Sequence, residues 1–136
     1  MNNVIEHLPN PARILAECNR IMRPGGRLSV ITPNVDSWGH KVFGPDWRGL
    51  EVPRHLFLFN RASLRSFARR AGFARTIVFT ATGGGWGCLE ASRAIARKTE
   101  RGHPRAPASA SILVAEFASD LLGGAKGEWV VLVADC

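Results

Sequence analysis

Several things are missing from this 136-residue chain, and each absence removes a class of function. No stretch approaches 18 uninterrupted apolar residues, which argues against a transmembrane helix. Residues 1–30 lack a basic head followed by an apolar segment and a small-residue cleavage site, so no secretory leader is read there and a cytoplasmic location is expected. The three cysteines, Cys18, Cys88 and Cys136, are odd in number, widely spaced and contain no CxxC pair. Neither a disulfide framework nor a zinc knuckle is indicated, and no metal site is expected. Acidic residues are scarce: 11 against 18 basic ones, a net charge of +7. The whole excess lies in residues 1–75, which hold 12 Lys and Arg against 5 Asp and Glu. Those basic residues are scattered over helices and loops, and no basic face with interleaved aromatics emerges, so a solvated surface is a better account of them than specific nucleic-acid binding.

What is present reads as one α/β domain, with 46% hydrophobic residues to build a core. In "PNPARILAECNRIMRPGG", Ile14, Leu15, Cys18, Ile21 and Met22 recur at helical spacing. Asn10 is the predicted N-cap, Pro11 the first helical residue and Pro24-Gly25-Gly26 the stop. "RLSVIT" follows at 27–32 as a buried strand. A helix, a glycine turn and a strand make half of a βαβ unit, and "MNNVI" reads as the exit of the strand that would precede it. The expectation is therefore a parallel sheet whose earlier strands lie outside this sequence.

Residues 33–60 are expected to form a long functional loop carrying Asn34, Trp38, His40, Trp47, Arg48, Arg54, His55 and Phe59. "NRASLRSFARRAGF" predicts a second helix capped by Asn60, with Leu64, Phe67, Ala68 and Ala71 facing inward and Gly72 ending it. "ARTIVFTAT" is a strand, "GGGWG" a flexible hinge, and 87–98 and 109–122 two helices joined by "RGHPRAPAS". The final "EWVVLVAD" is apolar on both faces, which demands a central place in the sheet, antiparallel beside 74–80.

The runs "VIEHLPNPARILAECNRIMRPGGRLSVITPN" and "PRHLFLFNRASLRSFARRAGF" together resemble the second half of the class I S-adenosylmethionine-dependent methyltransferases, in the small-molecule branch that includes ubiquinone-pathway and saccharide-modifying enzymes. The resemblance implies the C-terminal half of a doubly wound, mostly parallel, Rossmann-like sheet with an antiparallel last strand. Residues 1–82 would be the family-like core, 83–126 a helical insertion and 127–136 the final strand. It also implies S-adenosylmethionine as cofactor and a small-molecule methyl acceptor. The family's glycine-rich turn and its ribose-binding carboxylate have no counterpart here, since Gly83, Gly84, Gly85 and Gly87 come too late in the chain. The 136 residues are accordingly expected to be inactive alone and to need a complementary N-terminal chain, or to form a homodimer through the open sheet. The competing reading is a non-catalytic assembly module that pairs with a partner chain.

Ligands of open α/β sheets lie beyond the C-terminal strand ends. That rule makes Asn2, Asn3, Glu6 and His7 the cofactor-side candidates, and Thr32 and Asn34 further site candidates after "RLSVIT", with Asn34 on the substrate side. Glu6 and His7 serve equally well as caps of the following helix, and Asn34 as the anchor of an Asx-turn. His55 is the catalytic candidate: related enzymes often carry a histidine near the acceptor at this position, and a neutral imidazole can take a hydroxyl proton. It can equally fix its loop by bonding to backbone. Trp38 and Trp47 are candidates for walling the acceptor pocket and Arg54 for holding an anionic group on the acceptor, against the alternatives of simple packing and surface solvation. With a base at hand and no amine-directed motif, O-methylation is the expected chemistry.

Overall fold

The computed structural model describes residues 1–99 and 107–136. Its sheet has three strands: β1 (Arg27–Pro33), β2 (Arg75–Ala81) and β3 (Trp129–Asp135), in the order β1-β3-β2. β3 runs antiparallel to both neighbours, with Leu132 opposite Val30 on one side and Val78 on the other. The apolar "WVVLVA" thus takes the central position its composition requires, with Val130, Val131, Leu132 and Ala134 buried. The expectation of a mostly parallel sheet is not met within these strands. β1 and β2 do run the same way, but β3 is inserted between them, so every ladder among the described residues is antiparallel. Parallel contacts survive only as isolated bridges, Asn2 to Ile31 and Asn34 to Phe59. At the first, the Ile31 N–H donates to the Met1 carbonyl at 3.0 Å and the Asn3 N–H to the Ile31 carbonyl at 2.9 Å.

Helices α1 (Pro11–Ile21) and α3 (Arg61–Arg70) cover one face of the sheet. The Asn10 side chain caps α1 by accepting from the Arg13 N–H. Asn60 and Ser63 form a reciprocal capping box on α3. Leu15, Leu64 and Ala68 from these helices meet Val30, Val78, Val130 and Leu132 in the main core. Burying each such aliphatic side chain contributes about 1.5–3 kcal/mol. Because side chains alternate across a strand, Ile77 and Phe79 point to the opposite face. There they remain 61% and 44% exposed.

Two expectations about the rest of the chain are corrected. Residues 33–60 are not a continuous loop: Ser37 accepts from the His40 N–H and caps a short helix α2 (Trp38–Phe43), and single 3-10 turns follow at Gly44–Asp46 and Arg48–Leu50. The glycine cluster is not a hinge. Gly84, in the left-handed region at φ +80°, precedes helix α4 (Gly85–Lys98) as its N-cap, and Gly85 lies so close to the residue before β3 that a Cβ would sit 3.0 Å from the Glu128 Cβ. Here the glycines serve close packing. Helix α5 (Ser109–Leu121) and α2 pack with α4 around a second core of Phe43, Trp47, Leu89 and Ile112. The first six residues of the expected "RGHPRAPAS" linker lie outside the described residues.

Candidate active site

A cavity of about 410 Å³ opens past the C-terminal end of β1, between the 3-10 turn Ile5–His7, the 48–55 segment and α4. Asn3, His7, Arg48, Glu51, Arg54 and His55 line it, with Pro33 and Trp129 at the strand ends and Cys88 on the helix side. This is where a ligand of an open α/β sheet is expected.

Glu6 stands at the root of the cavity. It is 1% exposed; its Oε2 accepts from the Thr32 hydroxyl at 2.9 Å, and its backbone carbonyl accepts from the Leu56 and Phe57 N–H groups. The last two bonds clip the 55–57 segment to the turn that carries Glu6 and His7. His7 and His55 therefore meet edge to face with ring centroids 4.6 Å apart, although they are 48 positions apart in the chain. Both Nδ1 atoms contact backbone carbonyls: His7 that of Arg54 at 3.0 Å, His55 that of Gly49 at 2.7 Å. A carbonyl only accepts, so each Nδ1 carries a hydrogen, and each Nε2 is the ring nitrogen left for other partners. The Nε2 of His55 is 3.3 Å from Glu51 Oε2 and 3.9 Å from Glu6 Oε1.

Glu51 organises the rim. Its Oε1 accepts from Arg48 at 2.9 Å and from Arg54 at 2.6 Å. The hydrogen bond from Arg48, aided by the charges of both arginines, holds its carboxyl below the usual range. It stays ionised beside His55. Sequence reasoning passed Glu51 over, although its placement four residues before His55 was a usable signal: this segment turns tightly enough for the His55 N–H to reach the Glu51 carbonyl at 3.2 Å.

The structure brings together Asn3, His7, Arg54 and His55 at the cavity, with Glu6 behind them. Asn2 lines a neighbouring shallow recess with Asn3, Gly83 and Gly84. Glu6 and His7 do not cap α1, because Asn10 fills that position. The remaining candidates lie elsewhere. Asn34 is fully buried; its amide donates to the Ala125 and Gly127 carbonyls and its Oδ1 accepts from the Asp36 N–H, an Asx-turn that locks the end of β1 to the approach of β3. Trp47 is buried in the second core with its indole N–H on Glu128 Oε1. Trp38 faces a separate apolar cleft beside Val42 and Ile112, with the Lys41 ammonium over its ring.

With this geometry in place, the relationships to known proteins are informative. A family model described as a methyltransferase domain matches residues 1–76. The ubiquinone biosynthesis O-methyltransferase of Pseudomonas aeruginosa is 31% identical over 75 residues, a segment covering 51% of this chain and 32% of that protein. A probable S-adenosylmethionine-dependent methyltransferase of Mycolicibacterium smegmatis is 39% identical over 70 residues, 52% of this chain and 25% of that one. The matched segment thus spans about a third or less of these curated relatives. Among solved structures, a possible histamine N-methyltransferase of Thermotoga maritima superposes with a TM-score of 0.57 at 18% identity, over 99% of this chain and 53% of that one. A methyltransferase of Archaeoglobus fulgidus gives 0.56 at 15% identity, over 100% and 57%. At such identities the structural likeness speaks for the fold alone. The family match covers more than half of the chain: it belongs to the methyltransferase-domain family.

Proposed function

We propose that this chain supplies the acceptor side of an S-adenosylmethionine-dependent methyl transfer to a hydroxyl of a small molecule, with His55 as the proton acceptor. The observation that carries this reading is the orientation of His55. Its Nδ1 hydrogen is held by the Gly49 carbonyl, which fixes the ring and turns Nε2, the atom that would take the proton, toward two carboxylates suited to an imidazolium. Bonding to backbone and serving as a base are therefore compatible in this residue. S-adenosylmethionine, when bound, supplies an electrophilic methyl group. His55 takes the hydroxyl proton at Nε2, and Glu51 and Glu6 stabilise the resulting charge, an effect typically worth 10²–10⁴-fold in rate. Arg48 and Arg54 give the rim a cationic face for an anionic group on the acceptor. The ubiquinone-pathway relative named above is an O-methyltransferase, in keeping with a hydroxyl acceptor.

Cofactor binding fits these residues in part. Asn2 and Asn3 leave the parallel bridge beside β1 and face the two recesses, a suitable place for contacts from one side. A glycine turn of the family's kind and a ribose carboxylate are not among the described residues, so the 136-residue chain alone is proposed to bind S-adenosylmethionine no tighter than about 1 mM and to turn over nothing measurable. A partner that completes the fold, either a complementary chain or a second copy, is proposed to cover the Ile77 and Phe79 face of the sheet. Calorimetric titration of the chain with S-adenosylmethionine tests the first point; micromolar binding would overturn it. In a complete enzyme carrying this segment, His55→Ala should lower kcat by at least about 100-fold with little change in cofactor affinity. An unchanged rate would reduce His55 to a loop anchor.

A further inference from the structure

We propose that the outer face of α5 is a self-association surface, occupied by the same helix of a second copy of this chain. The helix is inverted with respect to charge. Its two charged residues, Glu116 and Asp120, turn into the protein: Glu116 is fully buried and accepts from the Gly39 N–H, while Asp120 accepts from the Thr80 hydroxyl and from the Lys126 and Gly127 N–H groups. The outer face is left to alanine, serine and large apolar residues. Val114, Phe117 and Leu121, with Leu122 just past the helix end, are 65–87% exposed. A helix built to face water carries its charged residues on that side instead.

Spacing, charge and area name the occupant. Ala110, Val114, Phe117 and Leu121 recur at intervals of four, three and four residues, the spacing of a seam that packs against another helix. A helix that lies on a lipid surface carries Lys and Arg along its polar face, whereas α5 has no basic residue. A strongly charged partner would likewise find nothing to pair with here, so the face is complementary to itself. The four large side chains present roughly 400–500 Å² of apolar surface, toward the upper end of what a monomer exposes in one patch. Ser111 and Ala115 carry that patch into an apolar cleft of about 190 Å³ between α2 and α5, walled by Trp38, Val42 and Ile112. Contact along the seam and over the cleft buries on the order of 700–800 Å² per copy, the size of a standard specific interface. This inference goes beyond the methyl-transfer reading and is independent of it. No α5 residue lines the cavity past β1, and α5 is a separate element from the strand that carries Ile77 and Phe79.

The test is sedimentation velocity of the 136-residue chain, with thiols kept reduced, from about 1 to about 100 μM. The expected result is a reversible monomer–dimer equilibrium with a dissociation constant of about 10 μM or tighter. Phe117→Ser should weaken the dimer by at least about 30-fold, and Val114→Glu, which puts a charge into the seam, should leave a monomer throughout this range. Both positions are exposed, so far-UV circular dichroism of either variant should match the parent. Phe79→Ser, on the sheet face, should change the dissociation constant by no more than about threefold. A parent chain that stays monomeric at the highest concentration would overturn the surface. So would a dimer that Phe79→Ser dissociates and Phe117→Ser does not, since the contact would then belong to the sheet. A monomer that partitions onto phosphatidylglycerol vesicles would give the α5 face to lipid and overturn it equally.

Discussion

The Thr32 hydroxyl donates to Glu6 Oε2 at 2.9 Å inside the protein, tying the end of β1 to the turn that presents the cavity's acidic residue. Both residues are essentially inaccessible to water. Leaving a buried acceptor without its donor costs about 1–3 kcal/mol. Thr32→Val keeps the shape and removes the donor, so it should lower unfolding stability by about that amount, read as a shift in urea midpoint at constant m-value. A variant as stable as the parent would mean that water replaces the hydroxyl.

The Glu116 carboxyl, at the meeting of α2, α5 and β3, has its pKa pushed up to about 9, first by burial and then by the neighbouring Glu128. Below the ordinary value of 4.5, folded and unfolded chains both hold the proton and no stability is lost. Between 4.5 and about 9 the unfolded chain releases it and the folded chain keeps it, so stability falls as pH rises through this window. The slope is at most about 1.4 kcal/mol per pH unit. Urea midpoints at pH 5, 7 and 9 should decline, and Glu116→Gln should flatten the decline. A midpoint that rises with pH would contradict the burial of a protonated carboxyl.

Cys88 lines the cavity but is 9% exposed, and burial, reinforced by Glu128, raises its thiol well above the ordinary range. Cys136 is exposed. Because the thiolate is the reactive form, iodoacetamide at pH 8 should label Cys136 rapidly and spare Cys88 in the folded chain. Peptide mapping by mass spectrometry checks this, and rapid labelling of Cys88 would show that the cavity floor is open.

Gly49 carries the carbonyl that orients His55, and a Cβ at this position would overlap the ring of the buried Trp47. Gly49→Ala should therefore destabilise by about 1–3 kcal/mol through overpacking. It should also loosen His55, visible as a shift of its imidazole resonances in NMR spectra. Unchanged stability together with unchanged resonances would mean that the segment yields without disturbing the site.

Much of this fold was legible in the sequence because its signals are local. Asn10 and Asn60 cap helices at the expected positions, Pro11 opens α1, and Gly72, at φ +91°, follows the end of α3. The unbroken apolar "WVVLVA" placed β3 between two neighbours, since no edge position buries both faces. The helix inside 33–60 was harder to see: α2 is six residues long, too short for its apolar residues to repeat over a second turn, and α4 and α5 supply the packing that stabilises it.

The site divides in the same way. The sequence determined the residue types, a carboxylate–histidine pair at 6–7 and a second histidine at 55, and their place past the ends of strands. Only the tertiary structure decided which of them meet. Backbone bonds from Leu56 and Phe57 to Glu6 join segments some fifty residues apart, and this pairing brings His55 to His7 and Glu6. The same long-range packing takes Asn34, Trp38 and Trp47 away from the cavity, because their polar and aromatic groups are used in holding α2, α5 and β3 together. Residue identity is written along the chain, whereas the direction in which a side chain points depends on partners that only folding brings within reach.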